Sequence, residues 1–69
     1  MKKNRQFELH ESGTGAHLVC WLRDDRRLQI GTRLTLKETG PRLWSITYRS
    51  SLAVEDADLH HRWRVGGLS

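Results

Sequence analysis

Apolar and polar residues alternate with a period of two in separate segments of this chain, and that pattern restricts it to strands that each bury one face. In residues 5–10, Phe7 and Leu9 fall on one side while Gln6, Glu8 and His10 fall on the other. Leu28, Ile30, Leu34 and Leu36 alternate with polar residues across Gly31, a position that marks a bulge or tight bend. From Arg42 to Arg49, Trp44, Ile46 and Tyr48 point one way and Leu43, Ser45, Thr47 and Arg49 the other. The run His17–Leu22 is too short for a helix and reads as a central strand that offers apolar groups to both faces. Ser12–Gly15 and Thr39–Pro41 supply turns, because glycine reaches positive φ and proline cannot extend a sheet interior.

The chain has 69 residues and a single cysteine, Cys20, so an internal disulfide is excluded and packing has to supply the stability. One domain over residues 1–69 is expected, with residues 1–4 a flexible basic tail. Trp21, Trp44, Trp63, Phe7 and Tyr48 are the large apolar bodies available to it. The basic N-terminus lacks the apolar stretch of a signal peptide or membrane span, which leads to the expectation of a cytoplasmic protein with no membrane contact.

The expected fold is mostly β, a small five-stranded antiparallel barrel. Its last strand is placed at residues 59–65, with Leu59, His61, Trp63 and Val65 inward and His60, Arg62 and Arg64 outward. The alternative for residues 51–64 is a short helix, with Ser51 as cap and Glu55, Asp56 and Asp58 near its positive end. The closing strand is preferred because it removes exposed sheet edges.

The stretch Leu28–Lys37, followed after a turn by Trp44–Tyr48, resembles the opening hairpin of SH3-like small barrels, including KOW-type modules of ribosomal and transcription proteins. Cys20–Leu22, Gly31–Lys37, Trp44–Ile46 and Arg62–Leu68 together resemble a group of small proteins encoded by bacteriophages of actinobacteria. The second resemblance implies a phage or prophage origin and an accessory role in the host cytoplasm. It transfers no functional residue. The acidic connector Glu55–Asp58 belongs to neither pattern.

Chemistry-bearing residues are few. Cys20 lies between Val19 and Trp21, where a thiol behaves as a small hydrophobe. His60 and His61 are adjacent and point apart in a strand, whereas His10 and His17 can face each other across the first hairpin. Tetrahedral zinc wants more than two ligands, so no metal or other cofactor is expected. Serines 12, 50 and 51 with Asp58, His60 and His61 lack the arrangement of a hydrolytic triad, and a non-enzymatic module is expected.

Twelve Lys and Arg against eight Asp and Glu give a formal charge of +4, which favours anionic partners. If Leu34 and Leu36 face the core, Arg33, Thr35 and Lys37 face out, joined by Ser45, Thr47, Arg49 and the nearby Arg42, and by Arg62 and Arg64 if the last segment is a strand. Cations among hydroxyl side chains suit phosphate contact, so Arg33, Lys37, Arg42, Arg49, Arg62 and Arg64 are the expected nucleic-acid-binding residues. The rival expectation is a small adaptor or inhibitor that grips a host or phage protein, or a second copy of itself as a homodimer, through an apolar patch at Val19 and Trp21.

Overall fold

The computed structural model describes residues 2–69. It contains five strands: β1 (Lys3–Glu11), β2 (His17–Arg23), β3 (Arg33–Leu36), β4 (Leu43–Glu55) and β5 (Val65–Leu68). They form one antiparallel sheet in the order β2-β1-β4-β3-β5. β1 begins at Lys3, opposite Glu55, and Asn4 is fully buried, so residues 3 and 4 of the expected tail belong to the sheet. Met1 lies outside the described residues.

The alternation read from the sequence places the core. Phe7 and Leu9 of β1, Cys20 and Leu22 of β2, Leu34 and Leu36 of β3, and Trp44 and Ile46 of β4 all point to one side and are buried together with Leu28. Burial raises the Cys20 thiol to a pKa of about 12, which leaves it protonated and packed. The indole N–H of Trp44 donates to Thr39 Oγ1 at 3.0 Å, so the largest core side chain leaves no polar atom unpaired.

Two departures from strict alternation follow from irregular backbone. Ile30 is 68% exposed, because Gly31 takes φ +94° and turns the chain before β3 begins. In β4 the register with β1 slips by one residue at Thr47: Ile46 opposes Leu9, whereas Tyr48 opposes Glu8 and Arg49 opposes Phe7. A bulge of this kind reverses the facing of everything beyond it. Tyr48 is therefore exposed, and Arg49 turns to the side that the sequence pattern reserves for apolar residues. A second excursion of β4, between Arg49 and Ala53, is braced by Arg5 Nη1, which donates to Ser50 O at 2.8 Å.

The C-terminal third is neither the strand 59–65 nor the helix 51–64. Residues 51–55 continue β4, Asp56–Asp58 form one 3-10 turn, and the last strand starts only at Val65. β5 lies against β3, with Leu36 opposite Val65 and Thr35 opposite Gly67, and Gly66 is the extra residue between them. A side chain on Gly66 would place its Cβ 2.9 Å from Thr35 Oγ1, so glycine is what allows this close approach. The sheet does not close into a barrel. Among the described residues, one main-chain hydrogen bond links the segment that leads into β5 to the edge strand β2, Trp63 N–H to Trp21 O at 2.8 Å. No helix among the described residues is long and apolar enough to cross a membrane.

The core assignment predicts a sharp contrast between two truncations. Leu34→Ala removes a fully buried side chain and costs about 2–5 kcal/mol, a large share of the roughly 3–10 kcal/mol expected for a chain of this length. Val19→Ala, at a position 58% exposed, changes stability by no more than about 0.5 kcal/mol. Urea unfolding followed by tryptophan fluorescence measures both.

Candidate functional site

Two ion-pair clusters fasten the connections to the sheet. The first is centred on Asp24, directly after β2. Arg5 Nε and Nη2 donate to its two carboxylate oxygens at 2.9 and 3.0 Å. Arg49, turned inward by the bulge, adds a bond from Nη2 to Asp24 Oδ1 at 3.2 Å and one from Nε to Leu28 O at 3.0 Å. The hydrogen bonds from Arg5 hold the Asp24 carboxyl below its ordinary pKa. This network draws the β2–β3 connection against the central strands and carries Leu28 into the core.

The second cluster is centred on Asp56, in the turn after β4. Its Oδ1 accepts from Asn4 Nδ2 at 2.6 Å and from Arg23 Nη1 at 3.0 Å, and Arg62 Nη1 lies 3.7 Å away. The Asn4 hydrogen bond, reinforced by Arg23, keeps this carboxyl below the usual range as well. Through Arg62 the cluster reaches the segment that runs from β4 to β5.

A cavity of about 240 Å³ lies where the end of β2, the β2–β3 connection and the C-terminal segment meet, at the seam the sheet leaves unclosed. Leu28, Trp63, Val65 and Leu68 supply its apolar lining, and Arg23, Arg27, Arg62 and Arg64 its cationic one; Asp25 completes it. Trp63 packs against the core cluster, with the His61 ring edge-on at 6.1 Å. The volume is below the roughly 300–1,000 Å³ of sites that engulf a small molecule. It suits one planar group of a larger ligand.

The guanidinium groups differ in availability. Those of Arg27 and Arg64 are in solvent, with side chains 69% and 63% exposed, while Arg23 and Arg62 are about one-third exposed. Arg27 Nη2 donates to Asp25 Oδ2 at 2.7 Å, and Arg64 Nε reaches Glu38 Oε2 at 3.4 Å. The bonds from Arg27 lower the Asp25 carboxyl to about 2, so it stays ionised near neutrality and has no proton to transfer. Exposed ion pairs of this kind exchange partners easily, since solvent screens much of their attraction.

The structure does not gather the six expected cations on one face. Arg62 and Arg64 line the cavity. Arg33 and Lys37 are exposed, on β3 and in the turn after it, with Arg33 opposite Ser45. Arg42 is engaged by Glu11 through bonds of 2.9 and 2.8 Å and stacks over Trp44 at 4.8 Å, and Arg49 is engaged by Asp24 and Leu28. Of the expected apolar pair, Val19 is exposed, whereas Trp21 is half-buried beside the strap that carries Trp63. Sequence reasoning missed Arg23 and Arg27. The available signal was the run Arg23-Asp-Asp-Arg-Arg27, dense in arginine and next to a strand end.

Comparison of the chain with protein-family models, curated proteins and solved structures finds no match.

The Asp24 cluster has a definite pH signature. Arg5 lowers the folded-state pKa of Asp24 beneath its unfolded value near about 4. The contribution is therefore complete above that value and is lost as pH falls through the folded one. Asp24→Ala is expected to cost about 1–2 kcal/mol at neutral pH, the lower part of the range for charged hydrogen bonds because solvent reaches the pair. In urea unfolding the gap between variant and parent narrows as the pH is taken below about 4.

Proposed function

We propose that this protein is a non-enzymatic module that binds single-stranded nucleic acid at the cavity between β2 and the C-terminal segment. The observation that carries this reading is the joint presence of an apolar, tryptophan-bearing lining and four guanidinium groups around a cavity too small for a whole ligand. Single strands are held by that combination: a base enters the apolar recess or stacks on an aromatic face while cations track the flanking phosphates. Arg27 and Arg64 are the phosphate contacts, and Trp63, Val65 and Leu68 meet the base. Arg23 and Arg62 are tied to Asp56 and shape the recess.

A duplex fits less well, because its bases are stacked and paired and cannot enter a recess without being flipped out. The exposed Arg33 and Lys37 lie on the β3 side of the sheet and extend the attraction to a polyanion without forming part of the recess. Bidentate geometry favours arginine over lysine at phosphates, consistent with an all-arginine cationic lining.

Titration with labelled single-stranded and duplex oligonucleotides, followed by tryptophan quenching and anisotropy, tests the reading. Single strands should bind more tightly, and a fourfold rise in salt should weaken binding roughly tenfold or more. Joint replacement Arg27→Gln and Arg64→Gln should reduce affinity about tenfold or more, while joint replacement of Arg33 and Lys37 by Gln should have a much smaller effect. Absence of binding at low salt, or equal losses from the two double variants, would overturn it.

A further inference from the structure

His10 and His17 face each other across the β1–β2 hairpin, on the side of the sheet away from the apolar cluster. Glu11 N–H donates to Ala16 O at 2.9 Å, which makes the next pair along, His10 with His17, one of the ladder's non-hydrogen-bonded pairs. Opposing side chains approach most closely at such pairs. The two Nε2 atoms are 2.8 Å apart, with ring centroids at 3.8 Å and planes at 67°. In the absence of a metal, one ring donates its Nε2–H to the other, which holds the two Nε2 atoms side by side.

We propose that this pair is a chelating site for a divalent copper ion. Imidazole–metal bonds of about 2.0–2.1 Å at right angles separate the two nitrogens by about 2.8–3.0 Å, whereas a tetrahedral angle separates them by about 3.3–3.4 Å. The observed 2.8 Å is set by the hydrogen bond between the rings, and a small side-chain rotation brings both nitrogens to adjacent corners of a tetragonal site; two imidazoles completed by water suit Cu²⁺, whereas structural zinc takes four protein ligands. Water fills the other positions, since among the described residues no group of three or more His, Cys, Asp or Glu is placed to hold an ion. On binding, both rings adopt the Nδ1–H form; the proton of the shared hydrogen bond leaves Nε2 and is taken up at Nδ1 through solvent.

The surroundings favour the ion. The two backbones are fixed by the continuous pairing from Asn4 with Arg23 to His10 with His17, so chelation orders little that is not already ordered. The neighbour of His10 on β4 is the uncharged Ser45, and Glu8 lies two residues along β1 on the same face. The site is separate from the arginine-lined cavity, so the outcome of one experiment does not decide the other.

Titration of the full chain with Cu²⁺ at neutral pH, read by pulsed electron paramagnetic resonance and thermal unfolding, tests the site. The expected result is one bound ion per chain, a spectrum showing two coordinated imidazoles, and a rise in melting temperature. His17→Ala and, independently, His10→Gln should lower the affinity about tenfold or more and abolish the melting shift. The joint variant His60→Ala and His61→Ala should retain both properties. Unchanged copper affinity in the His17 and His10 variants, loss of binding in the His60 and His61 variant, or tighter binding of Zn²⁺ than Cu²⁺ would each overturn the proposal.

Discussion

The carboxylate of Asp24 is the point through which the rest of the architecture is held. It follows an edge strand, yet its partners, Arg5 and Arg49, belong to the interior strands β1 and β4. These three hydrogen bonds fasten a polar connection over one end of the core. Leu28 is buried with its carbonyl held by Arg49, and the neighbouring Asp25 and Arg27 line the cavity. The arrangement depends in turn on the bulge at Thr47: without it Arg49 would face the opposite side of the sheet and Asp24 would lose its second cation. A backbone irregularity and an ion cluster therefore support each other, and neither has an evident reason to persist alone.

How much of this was legible in the sequence depends on whether a residue obeyed a period. Phe7, Leu9, Cys20, Leu22, Leu34, Leu36, Trp44 and Ile46 all obey the two-residue alternation or its apolar run, and all are in the core. Gly31 announced its bend. Thr47 carries no such mark, since a bulge needs neither glycine nor proline, and Tyr48 and Arg49 were consequently assigned to the wrong faces. The C-terminal strand was displaced for a related reason: residues 59–64 alternate like a strand but act as a strap with one main-chain bond to β2, while Val65–Leu68, with two glycines and little pattern, is the segment that pairs. Two of the four arginines that line the candidate cavity, Arg62 and Arg64, came from the alternation. Arg23 and Arg27 did not: Arg23 is placed by an ion pair with the distant Asp56, which no local pattern encodes, and Arg27, though paired with the nearby Asp25, lies in a connection without a period.

The unclosed seam explains why the cavity is where it is. β5 spans four residues and pairs with β3 along one edge; its other edge has no ladder with β2, and the sheet stays open there. The single bond between Trp63 and Trp21 brings the edges near each other and leaves a gap beside it. The four arginines that line it each lie beside a carboxylate, Arg23 and Arg62 beside Asp56, Arg27 beside Asp25 and Arg64 beside Glu38, so the lining is part ionic and part apolar.

β1, first in the chain, lies in the interior of the sheet, and its longer-range partner is β4, so that Lys3 meets Glu55 and Asn4 meets Val54. The β1–β2 hairpin can assemble as soon as both strands exist, but β1 keeps one side unsatisfied until the distant end of β4 has been made. Assembly is thus governed by a late encounter between remote parts of the chain, and chains of this kind fold slowly for their size. On a ribosome, the second edge of β1 would stay open to other strands until residues 44–55 had emerged.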